Sequence, residues 1–203
     1  MPRSEPAADP SDPGPTAPGA ARLDLLGTAE FRVAGTTVPT GGQHQTAILA
    51  RLALAAPHRV GVDALVDSLW GDDRPATARH SLSTQISRLR RAVAPAGWVI
   101  DWGSGGYLLE APGPTTDVAA FDQLVHDAET SVEAGRIGEA VAALRAALAL
   151  WRGPAFGGLP DAPFVVAERR AIAGRRRAVE DRLAELLLRD DRDRKSTRLN
   201  SSH

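Results

Sequence analysis

Apolar residues recur along this chain in two rhythms, and the switch between them marks out its elements. From Leu23 to Val33 they alternate loosely with polar residues, the period of half-buried strand, with a break near Gly27. Ala34-Gly35-Thr36 reads as a turn and Thr37-Val38 as the start of a partner strand, and Thr40-Gly41-Gly42 ends this small antiparallel sheet. The rhythm then turns helical. Gln43 to Ala56 carries Ala47, Ile48, Leu52 and Leu54 on its apolar positions and stops at Pro57. A short second helix, Ala64 to Trp70, has Asp63 placed as its N-cap and Gly71 as its close. A third helix runs from about Ala76 to Ala94 and ends at Pro95. Its Leu82, Ile86, Leu89 and Val93 fall in one narrow arc at about 100° per residue, so that face is buried. Trp98–Trp102, the glycine-rich Gly103-Ser-Gly-Gly106 and Tyr107–Glu110 then read as strand, turn and strand, a β-hairpin.

Pro112-Gly-Pro114 marks a boundary, after which only helical spacing remains. Asp117 is expected to cap a helix from Val118 to Ala134, and Gly135 breaks it. Ile137 to Trp151 forms the next, with Ala140, Leu144, Ala147, Leu148 and Trp151 on one stripe; after an irregular stretch, Phe164 to Arg189 forms a long third. The fold class expected is α+β: an N-terminal winged helix-turn-helix (small antiparallel sheet, three helices, β-hairpin wing) over residues 21–111. An all-α, tetratricopeptide-like helical domain follows over residues 115–192. Helical pairs of that kind bury their faces by stacking, and about three repeats are usual, so one pair plus one helix reads as a partial domain and the chain as C-terminally truncated.

Composition narrows the chemistry. The 203 residues include no cysteine, which excludes disulfides, thiol catalysis and cysteine-ligated metal. No apolar run approaches the length that spans a bilayer, and the expected location is cytoplasmic, with no membrane partner. Residues 1–20, rich in Pro, Ala, Asp and Gly, read as a disordered tail. The only lysine, Lys195, and the only asparagine, Asn200, lie in the last nine residues of an otherwise arginine-using chain, so residues 194–203 read as a non-native tail. The formal net charge is −1, so a nucleic-acid site must come from local clustering of charge.

Such a cluster lies on the third helix. Opposite the apolar stripe are Thr77, His80, Thr84, Ser87, Arg88 and Arg91, flanked by Arg79, Ser83 and Arg90. Small hydroxyls permit close approach to a groove wall, and arginines donate to phosphates and guanines. The half from His80 to Ser87 suits base edges, while Arg88, Arg90 and Arg91 suit the phosphate backbone. On periodicity alone, a solvated surface face competes evenly with this reading; the winged-helix order around it favours DNA. Other candidates carry less. The five histidines share no metal-ligand spacing, Asp72-Asp73 suits a helix start better than acid–base catalysis, and Gly103-Ser-Gly-Gly106 has no phosphate-loop context. No enzyme site and no cofactor site emerges. Trp70, Trp98, Trp102 and Trp151 read as structural, with one of the hairpin pair a candidate for exposure.

Two blocks carry a family resemblance. Val62-Asp-Ala-Leu-Val-Asp-Ser-Leu-Trp-Gly-Asp-Asp-Arg-Pro, Ile86-Ser-Arg-Leu-Arg-Arg91 and Gly106-Tyr-Leu-Leu109 resemble the OmpR-like DNA-binding domain of the SARP family of actinobacterial antibiotic regulators. Asp117, Phe121, Ala147-Leu-Ala-Leu-Trp-Arg-Gly-Pro154 and Leu159-Pro-Asp-Ala-Pro-Phe164 resemble the bacterial transcriptional activator domain that follows it in that family. The resemblance covers about Leu23 to Arg189. It implies double-stranded DNA as partner, read as direct repeats near promoters, with homodimers, contact with RNA polymerase, and in some members control of secondary metabolism or a downstream ATPase domain. By position it implies Arg79, His80, Ser83, Thr84, Ser87, Arg88 and Arg91 as recognition-helix residues. Two departures stand out: Gln43-His-Gln-Thr46 replaces the basic start of the first helix, and Trp98–Glu110 contains no Lys or Arg where a wing usually grips phosphate by charge. A protein-interaction adaptor with little DNA affinity is the rival reading.

Overall fold

Three antiparallel strands open the fold. In a computed structural model that describes residues 21–200, with side chains to Arg189, β1 (Ala21–Asp24), β2 (Glu30–Val33) and β3 (Thr36–Thr37) pair in that order, with Leu23 opposite Phe31. Both residues are buried, and the Phe31 ring meets Trp98 edge-on at 4.9 Å, which packs this sheet against the hairpin end of the next unit. The expected tail over residues 1–20 lies outside the described residues, as do residues 201–203.

Next come α1 (Gln43–Ala55), α2 (Val62–Trp70) and α3 (Ala78–Val93). The Gln45 side chain accepts from the Gly42 N–H at 2.7 Å and so closes the start of α1. At α2 the expectation needs correction: Gly61, in extended backbone, is the N-cap, and Asp63 sits inside the first turn without capping. Its carboxylate there still favours the positive helix end. The periodicity also conceals β4 (Val60–Gly61), since two residues carry no pattern. β4 pairs with β6 (Gly106–Glu110), which pairs with β5 (Val99–Gly103), so the hairpin is the larger part of a three-stranded sheet. Gly106 permits that third strand, because a Cβ there would lie 2.4 Å from the Val60 carbonyl oxygen.

The helical part comprises α4 (Asp117–Glu133), α5 (Ile137–Ala149) and α6 (Pro163–Asn200). α6 runs well past the Arg189 at which sequence reading ends it. No glycine or proline follows Gly174 to stop it, and Leu, Ala, Glu and Arg favour continuation. Asp117 also requires correction. The cap of α4 is Thr116, whose hydroxyl accepts from the Ala119 N–H at 3.1 Å. That frees the Asp117 carboxylate to turn away from its own helix.

It turns toward β1. Pro112-Gly-Pro114 is followed not by a loose tether but by chain laid along the first strand: the Leu23 N–H donates to the Thr115 carbonyl at 2.8 Å, and the Thr115 hydroxyl donates to the Ala53 carbonyl at 3.1 Å. The Asp117 carboxylate accepts from the Leu25 and Leu26 N–H groups at 2.7 and 3.0 Å and from Arg152 at 2.8 Å. Arg152 reaches Asp24 as well, at 3.2 Å, and Asp24 is held from its other side by Arg22 at 2.6 Å. The loop after α5 completes the seam, with the Arg152, Phe156 and Gly157 N–H groups donating to the carbonyls of Leu26, Leu25 and Gly27 at 2.7 to 2.8 Å.

Burial pushes the Asp117 carboxyl above its usual range, against the opposing pull of the two backbone donors and Arg152. The folded state therefore holds that proton more tightly than the unfolded state does between the two pKa values. Stability from this group falls as pH rises through that window and is flat above it. Replacing Asp117 by Ala should lower the unfolding free energy by about 3 kcal/mol, because two N–H groups and Arg152 lose their partner. In denaturant titrations the gap between the two proteins should widen as pH is lowered from neutral through the raised value.

Candidate nucleic-acid interface

α3 is anchored by Ala78, Leu82, Ile86, Leu89 and Val93, all buried. Every residue of the candidate set (Arg79, His80, Ser83, Thr84, Ser87, Arg88, Arg90 and Arg91) lies on its exposed side. Their side chains are not equally free. Arg79 pairs with Asp63 of α2 at 2.5 Å, but both side chains are well over half exposed, and such a surface pair is readily exchanged for another anion. The Thr84 hydroxyl donates back to the His80 carbonyl at 3.1 Å. Among the described residues, the side chains of His80, Ser83, Ser87, Arg88 and Arg91 make no hydrogen bond or ion pair.

Arg90 stands apart from its neighbours. Its Nε donates to the Ile100 carbonyl at 2.8 Å, and its guanidinium lies over the Tyr107 ring at 5.9 Å from the centroid. It fastens α3 to the hairpin. The reason is angular: Arg90 follows Leu89 directly and so flanks the buried stripe, whereas Arg88 and Arg91 point away from it. In thermal melts, Arg90→Ala should cost about 1–2 kcal/mol, while Arg88→Ala and Arg91→Ala should each stay within about 0.5 kcal/mol of wild type.

Around α3 the structure assembles two further surfaces. His44 and Gln45 of α1 share a groove with His80, Thr84 and Arg88, a cavity of about 560 Å³. The start of α1 thus borders the same face, with no Lys or Arg from Gln43 to Thr46, where the resemblance implies basic residues. On the other side is the hairpin. It carries no Lys or Arg of its own, and Arg59, from just before β4, donates to the Asp101 carboxylate at 2.8 Å and to the Gly106 carbonyl at 3.1 Å. Arg59 holds the Asp101 carboxyl below its usual range. Sequence reasoning missed Arg59 because its placement follows from β4, and the only signal was its position one residue before an unrecognised strand. Of the two hairpin tryptophans, Trp98 is 2% exposed and Trp102 is 52% exposed. No described helix is long and apolar enough to cross a membrane.

Known proteins share this arrangement. Residues 116–201 match the bacterial transcriptional activator domain. The transcriptional regulatory protein EmbR of Mycobacterium tuberculosis is 38% identical over 150 residues, which is 71% of this chain and 39% of EmbR. The transcriptional regulatory protein MoaR1 of Mycobacterium bovis is 35% identical over 175 residues, 84% of this chain and 56% of MoaR1. The solved structure of M. tuberculosis EmbR in complex with a low-affinity phosphopeptide superposes with a TM-score of 0.77 at 33% identity, over 83% of this chain and 45% of that one. The chain thus spans about half, or less, of the length of these relatives. It joins a winged helix to residues that match the bacterial transcriptional activator domain, and over most of its length it is similar to EmbR and MoaR1, both named as transcriptional regulatory proteins.

Proposed function

We propose that the protein regulates transcription by binding double-stranded DNA sequence-specifically through α3. The observation that carries this reading is the pair of guanidiniums, Arg88 and Arg91, which have no partner among the described residues, beside a row of small hydroxyls on a helix whose apolar stripe is buried. The division of labour runs along the helix. Arg79, His80, Ser83, Thr84 and Ser87 face base edges, with Arg79 leaving Asp63 to do so. Arg88 and Arg91 take phosphates. Arg90 keeps its bond to the hairpin and supports the interface from behind.

On this reading residues 21–111 hold the DNA and residues 115–192 present the helical surface to other proteins. The family reading adds direct repeats as the target, a second copy of the chain on the neighbouring repeat, and contact with RNA polymerase that activates a gene cluster, of the kind that makes secondary metabolites. The near-neutral total charge fits a protein whose affinity comes from one patch instead of a basic whole.

The test is a binding titration of the full chain against promoter-region fragments at several salt concentrations, beside Arg88→Ala/Arg91→Ala. Each phosphate contact contributes about 0.9 to the slope of log K against log salt, so the double variant should bind all fragments more weakly with a slope shallower by roughly two. Wild-type protein that binds no fragment above bulk DNA defeats the regulator-by-DNA-contact reading and leaves the adaptor reading standing. Selective binding by wild type that the double variant matches would put the contact elsewhere than α3.

A further inference from the structure

The tip of the β4–β6–β5 sheet holds a large side chain that the fold does not use. Trp102 is 52% exposed, whereas Trp98, the other tryptophan of the hairpin region, is 2% exposed. It is nonetheless held in place. Its register partner across the hairpin is Tyr107, and the two rings meet at 4.8 Å and 59°. Tyr107 is buried and carries Arg90 over its ring, and Arg90 is bonded to Ile100. The turn is tied down too, since the Val62 N–H donates to the Gly105 carbonyl at 3.1 Å. An exposed indole fixed this way loses little rotamer entropy on binding.

Its surroundings specify what it meets. Trp102 and Tyr107 line one side of a notch of about 480 Å³, and the Arg79–Asp63 pair lines the other. The indole therefore stands next to the first turn of α3, on the side where the candidate base-contacting residues begin. The hairpin's own carboxylate beside Trp102, that of Asp101, is paired with Arg59 at 2.8 Å. No lysine or arginine belongs to the hairpin itself. A contact made here is apolar and stacking in character, not ionic.

We propose that Trp102 is the wing's DNA contact, laying its indole against the deoxyribose and base-edge wall of the groove flanking the one that α3 enters. This rests on the DNA-binding reading of α3 and adds a residue and a kind of contact to it. Apolar side chains meet minor-groove walls and base steps without displacing condensed counterions, so this contact strengthens binding without steepening its salt dependence.

The experiment compares the full-length wild-type chain with Trp102→Ala and Trp102→Arg in the same fragment titrations across salt, with thermal melts to verify folding. Trp102→Ala should bind roughly tenfold more weakly, the scale of one lost aromatic contact, with the salt slope unchanged. Trp102→Arg should recover affinity at low salt and steepen the slope by about 0.9, one phosphate contact. Trp102→Ala binding as tightly as wild type overturns the proposal while leaving α3 untouched. An altered oligomeric state in sedimentation, with DNA affinity intact, overturns it in favour of a second copy as the indole's partner. Wild-type protein that binds no fragment selectively overturns this proposal together with the reading beneath it.

Discussion

Two carboxylates removed from water, Asp24 at 2% and Asp117 at 0% side-chain exposure, share the Arg152 guanidinium, and the rest of the molecule is arranged around that seam. Burying charge is costly unless each oxygen has a partner. Here Asp117 gains two backbone N–H donors from the end of β1, and Asp24 gains Arg22. The backbone donors matter as much as the ion pair, since Leu25 and Leu26 lie beyond the last ladder pair of β1 and their N–H groups would otherwise be orphaned within the core. A side chain from α4 thus completes the first sheet. The small N-terminal sheet, which could have been an appendage of the winged helix, becomes the piece that the helical part grips.

The Leu-Trp-Arg-Gly-Pro run can now be understood residue by residue. Trp151 sets its ring edge-on to Phe121 at 6.1 Å and carries Arg176 over its face at 4.8 Å, so it joins α4 to α6. Arg152 supplies both the guanidinium to Asp24 and Asp117 and an N–H to Leu26. Gly153 and Pro154 then turn the chain so that Phe156 and Gly157 can bond to Leu25, Gly27 and Ala29. The run and the loop after it are, physically, the docking strip for the end of β1 and the segment that follows it. Gly71 marks a second contact between the halves: with φ +54° and a Cβ position only 3.0 Å from the Pro163 ring, it lets the end of α2 lie against the start of α6.

Much of this was legible in the residues, and the failures share a cause. Helix spans and the apolar stripe of α3 follow from period, and Leu82, Ile86, Leu89 and Val93 are all buried as expected. Period is blind to what two-residue segments do and to where a polar side chain turns. β4 is invisible to it for the first reason and, with β4, the placement of Arg59. Asp63 and Asp117 read as caps for the second, because an Asp before a helical run fits a cap by type, while Gly61 and Thr116 occupy those positions by geometry. Within the candidate set, sequence groups Arg88, Arg90 and Arg91 as a run but does not show that Arg90 gives its Nε–H to the Ile100 carbonyl. Nor could it choose between Trp98 and Trp102, since which one lies under Phe31 depends on how the two sheets meet.

The seam also gives the molecule a heading. A flexible tether would let α4–α6 occupy any azimuth around whatever α3 holds. With Thr115 paired to Leu23 and Asp117 anchored on Leu25 and Leu26, that freedom is gone. Under the proposed docking of α3 on a DNA duplex, which turns once in about 10.5 base pairs, such a body would act like the hand of a clock: sliding the site by half a turn would swing the helical surface to the opposite side of the duplex. Position along the sequence would then become direction in space, and a partner fixed elsewhere on the same DNA would meet this surface at some spacings and face away from it at others.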